Sequence, residues 1–150
     1  MFDHIAIKFP TSALFLALAL TIAEPQPCAA RPKICSPQAA QAADAAMDNL
    51  DDWRKVARAF RDYGQCDDGS IAEGYSEAIA RLLVDKWNTL PTLATLTRRD
   101  PALLQFVISH IDTTLDTADL EKIRQFAASK CDTTASLCSQ LQAAAEQALR

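Results

Sequence analysis

The chain has 150 residues, of which 49% are hydrophobic and 23% charged, with five cysteines, two histidines, three glycines and a formal net charge of −4. That length suits one domain, and the mild acidity gives no electrostatic reason to expect nucleic acid or an anionic membrane surface as partner. So few histidines and glycines leave little room for histidine-based catalysis or a phosphate-cradling loop.

The N-terminus reads as a targeting segment. Lys8 supplies positive charge, and an apolar run from Ala13 to Ile22 has the length of a signal h-region, short for a membrane span. Cleavage after Ala23 or after Ala30 places small residues at the −3 and −1 positions. Residues 1–30 are therefore expected to be a signal peptide. The mature protein is then periplasmic or secreted, with no stable membrane anchor after cleavage. In that environment thiols usually end as disulfides. Cutting after Ala30 leaves Cys35, Cys66, Cys131 and Cys138, an even set with three pairings; cutting after Ala23 keeps Cys28 as well. Cys131 and Cys138 flank a predicted helix–helix turn and form the first expected pair. Cys35 with Cys66 follows by subtraction, and Cys66 with Cys131 stays open. No Cys-x-x-Cys pair is present, so no zinc site, other metal or cofactor is expected.

Residues 31–46 form an Ala/Gln/Pro-rich arm, expected to be poorly ordered apart from Cys35, although its Ala-rich part could join the next helix. The helical domain, 47–150, follows. Leu50, Trp53, Val56, Ala57, Phe60 and Tyr63 recur at helical spacing and predict a first helix from about Asp48 to Tyr63, with Arg54, Lys55, Arg58 and Arg61 on its outer face. A second helix, Ile71 to about Trp87, carries Tyr75, Ala78, Ile79, Leu82 and Leu83 inward. Shorter helices follow from Pro91, from the Asp100-Pro101 cap, from about Thr117 to Lys130, and from near Thr133. No stretch alternates with period two. The fold class is all-α, a compact bundle of about five to six short helices with disulfides.

All three glycines, Gly64, Gly69 and Gly74, fall between Tyr63 and Ser76. Gly64 suits a left-handed C′ position ending the first helix. Ser70 and Glu73 have capping-box spacing for the start of the second. Gly74, inside that helix, costs about 1 kcal/mol relative to alanine and implies close approach by another helix or a partner. Cys66 sits at the corner, where a disulfide would pin it.

Candidate chemistry is sparse. His110 is the sole histidine past the signal segment, and its place at a helix end reads as a partly exposed residue near the last carbonyls. Asp67, Asp68 and Glu73 are the best carboxylate cluster, for which capping is the plainer explanation. Asp112, Asp116, Asp119 and Glu121 lack the calcium-loop pattern.

Cys66, then Gly74-Tyr75 on an early helix, a helical middle, and Ala127-Ala128-Ser129-Lys130-Cys131 ending a later helix, together resemble the Rap/Tai-type immunity proteins over roughly Tyr63 to Cys131. The resemblance implies an all-α, cystine-containing periplasmic protein that neutralises a peptidoglycan-cleaving effector of type VI secretion, such as a cell-wall amidase toxin. The reading is therefore an exported, non-enzymatic protein-binding domain acting by occlusion. Its partner-binding residues are expected to be Gln65, Asp67, Asp68, Gly69, Ser70, Gly74 and Tyr75, because loops on a rigid scaffold commonly carry binding residues. Self-association as a homodimer stays open. The alternatives are a small periplasmic hydrolase using Asp67, Asp68 or Glu73, and a structural module of a cell-envelope assembly.

Overall fold

The computed structural model describes residues 33–131 and 135–150. They belong to one compact unit, Pro32–Arg150. The expected signal peptide, Cys28 and the expected helix start near Thr133 lie outside the described residues.

Seven α-helices are present among the described residues: α1 Pro37–Met47, α2 Trp53–Tyr63, α3 Gly69–Asp85, α4 Leu90–Arg99, α5 Pro101–Ser109, α6 Thr117–Ser129 and α7 Ala135–Ala148. Short 3-10 turns at Gly64–Cys66 and Trp87–Thr89 lead into α3 and α4. No strand occurs among the described residues. The protein is thus all-α. No described helix is long and apolar enough to cross a membrane.

The helix starts follow from side-chain caps. Asp52 accepts from the N–H groups of Arg54 and Lys55 at 2.7 and 2.9 Å, Asp100 from Ala102 and Asp116 from Ala118. Each carboxylate satisfies donors that the helix itself leaves unpaired. Pro37, Pro91 and Pro101 sit in first turns, where a missing N–H does no harm.

α3 is the central element, packed against α1, α2 and α6. Its Tyr75, Ala78, Ile79 and Leu83 are fully buried. Burying a large apolar side chain of this kind is worth about 1.5–3 kcal/mol, so this one face accounts for much of the cohesion. α6 and α7 form a hairpin, closed by the Cys131–Cys138 disulfide. Cys35–Cys66 is the second disulfide. Both expected pairings are the ones observed.

Four local expectations change. The 31–46 arm is ordered from Ser36 onward: Ser36 accepts from the Ala39 N–H at 3.1 Å, and α1 buries Ala43 and Met47 in the core. Ala and Gln favour the helix, and the disulfide at Cys35 anchors its start. α2 begins at Trp53 rather than Asp48, since Asp52 takes the cap and Asn49–Asp51 turn the chain. Gly64 is right-handed, with φ −57°, and opens a 3-10 turn. The Ser70–Glu73 capping box is not used. Asp68 is the N-cap, and Gly69, at φ +52°, makes the left-handed entry that favours glycine.

Candidate functional site

The corner between α2 and α3 is built from Gly64 to Ser70. Cys35–Cys66 holds it to the start of α1, with Cα atoms 4.9 Å apart. Within the corner, the Asp68 N–H bonds to the Cys66 carbonyl at 2.9 Å, and the Asp68 carboxylate accepts from the Gly69 N–H at 2.8 Å. Gln65 donates from its amide to the Asp62 carbonyl at 3.1 Å. Lys33, just before the disulfide, donates to the Arg61 carbonyl at 2.7 Å. These contacts leave Asp67, Asp68, Gly69 and Ser70 exposed and Gln65 half-buried.

Of the other two expected contact residues, Gly74 is half-buried against α1 and Tyr75 is inside the core. A Cβ on Gly74 would lie 2.7 Å from Met47 Cγ and 2.9 Å from Met47 Cβ. The close approach at Gly74 is therefore made by α1. Tyr75 is fully buried, with its ring edge-on to Phe106 at 4.8 Å. It offers no surface to a partner. Burial, and next the Asp67 charge, push its phenol well above the usual range.

Beneath the corner lies a polar chain linking three elements. Ser76 Oγ on α3 is 2.9 Å from His110 Nδ1, at the end of α5. His110 Nε2 is 3.3 Å from Asp67 Oδ2, an electrostatic contact off the hydrogen-bond direction. The carboxylate only accepts, so the proton belongs on Nε2, and Nδ1 accepts from the Ser76 hydroxyl. His110 is 5% exposed rather than partly exposed as its position suggests. Burial lowers its pKa below the ordinary value, against the opposing pull of Asp67. The imidazole is neutral at pH 7.

Ser, His and Asp are the residue types of a hydrolytic triad, but the arrangement differs. In that mechanism the carboxylate orients Nδ1 and the serine faces Nε2; here the two are exchanged. Ser76 is also 5% exposed, which denies its hydroxyl an approaching substrate atom. The chain fits a latch that holds Asp67 and the corner to the core. Asp68 caps α3, while Glu73 is exposed on that helix. No group of three or more histidine, cysteine or acidic residues able to hold a metal occurs among the described residues.

Ser70 also borders a cleft of about 630 Å³ between α1 and α3, lined by Asp44, Asp48, Asp51, Glu73 and Glu77 around Met47 and Gly74. Among the described residues of its lining Arg81 is the one cation, and it lies 3.5 Å from Glu77. The exposed acidic corner and this acidic cleft are thus continuous through Ser70.

Sequence reasoning passed over Ser76 and the depth of His110. The signal was present: Leu103, Phe106, Val107 and His110 share one helical face, and three of them are plainly apolar. A fixed expectation for helix-end histidines outweighed that spacing.

No family model matches the chain, and neither a curated protein nor a solved structure shows significant similarity to it.

Proposed function

We propose that the protein is an exported, non-enzymatic binding domain that presents the Gln65–Ser70 corner to another protein. Two disulfides indicate an oxidising, extracytoplasmic environment; the periplasm is the compartment proposed. The observation that carries the reading is the fixed corner. It is tied by Cys35–Cys66, latched through Asp67 to His110 and capped by Asp68, while Asp68, Gly69 and Ser70 stay exposed and the Asp67 side chain, 26% exposed, turns in toward His110. Such a loop loses little conformational entropy on binding, which favours affinity.

The resemblance to Rap/Tai-type immunity proteins supplies the partner class: a peptidoglycan amidase delivered by type VI secretion, inhibited by occlusion of its cleft. The carboxylates of the corner and of the adjoining α1–α3 cleft suit a basic or metal-bearing active-site rim. The test is amidase activity on purified peptidoglycan with increasing oxidised protein. Stoichiometric inhibition by the wild type, weakened at least tenfold by Asp68→Asn with Gln65→Ala, is the expected result. Asparagine keeps the cap, so the loss reads contact rather than folding. Undiminished hydrolysis across a panel of such amidases would reject this partner class.

A further inference from the structure

Arg54 on α2 and Arg99 at the end of α4 line one cleft of about 390 Å³, together with Pro91, Thr92, Thr95 and Leu96. Thr92, Thr95 and Arg99 recur at steps of three and four, so one face of α4 carries all three. Both arginines are exposed. Neither takes part in an ion pair among the described residues, as is also true of Arg58, Arg61 and Arg98; what sets Arg54 and Arg99 apart is that they line one cleft. An anion seated in it therefore meets two positive groups.

The cleft wall adds a donor. The Thr95 hydroxyl is committed: it donates to the Pro91 carbonyl at 2.9 Å and accepts from Arg98 Nη2 at 3.3 Å. The Thr92 hydroxyl has no such partner among the described residues and is free to donate. Planar guanidinium forks match the two-oxygen edge of a carboxylate or phosphate. We propose that the Arg54–Arg99 cleft is an oxyanion site, taking a carboxylate or phosphate group between the two guanidiniums with Thr92 donating a third bond. It shares no residue with the corner and does not depend on the function proposed for it.

The test is an NMR titration of the oxidised protein with two probes separately, inorganic phosphate and N-acetyl-glutamate. Saturable shifts at the Arg54 and Arg99 Nε–H signals and the Thr92 amide are expected with at least one of them. The probe that saturates at lower concentration identifies the group recognised. Affinity should fall at least tenfold in the Arg54→Gln, Arg99→Gln double variant and stay unchanged in Arg58→Gln, Arg61→Gln. Both arginines are exposed, so the variants should fold; Arg99→Lys, which keeps charge but loses the fork, should bind with intermediate affinity. Absence of saturation with both probes, or equal shifts in the Arg54/Arg99 double variant, would overturn the site.

Discussion

Two single residues decide how the corner is held. Gly74 faces Met47 Cγ and Cβ at less than normal contact distance for any added Cβ. These atoms lie near the Met47 backbone and have little freedom to swing aside. Gly74→Leu should gain somewhat under ~1 kcal/mol in helix propensity yet lose ~1–3 kcal/mol by overpacking, so its melting temperature should fall. A rise would show that α1 yields freely. His110 gives a pH dependence. Its folded pKa is lowered by burial, so the unfolded chain takes up a proton before the folded one. The stability associated with the neutral imidazole is complete above the unfolded value of ~6.5 and is lost as pH falls through the folded value. Denaturation midpoints should therefore drop on acidification below pH ~6.5, and His110→Gln should flatten that part of the profile. An identical slope in the variant would remove His110 as its source.

At the scale of elements, the disulfides and caps separate cleanly. Cys35–Cys66 closes a separation of 31 residues and Cys131–Cys138 one of 7. In the chain-entropy model the first is worth roughly 3.5–4 kcal/mol and the second ~2–3 kcal/mol. Paired Cys→Ser replacement at 35 and 66 should thus cost more than at 131 and 138, as read from urea midpoints. It should also loosen the corner. Asp68→Ala should cost ~0.5–2 kcal/mol as a lost N-cap, while Ser70→Ala should be near neutral; the reverse order would restore the Ser70–Glu73 box. Here the sequence was legible only in part. Apolar spacing located α2 to α7, because buried stripes dominate helix formation. The α3 cap was ambiguous: Asp68 and Ser70 are both good caps, and only the left-handed turn at Gly69 selects between them. α1 was obscured by its alanines, because only Ala43 and Met47 are buried in it and no row of large apolar residues marks its inner face.

For the whole molecule, the disulfides act together with the core. The start of α1 is tied to the corner by Cys35–Cys66, the corner is latched to α5 by His110, and Cys131–Cys138 closes the α6–α7 hairpin. The pairing was readable because cysteine parity and a short loop leave few choices. The Ser76–His110–Asp67 chain was not, since its members are separated by up to 43 positions between Asp67 and His110 and meet only after three elements pack. In the function proposed above, a protein partner covers the rigid corner. Hydrogen–deuterium exchange of the oxidised protein, alone and with a peptidoglycan amidase of the proposed partner class, measures that directly. Protection on complex formation should concentrate on residues 65–70 and the adjoining start of α3. Unchanged exchange there, with protection confined to the arginine face of α2, would contradict the corner as the binding element.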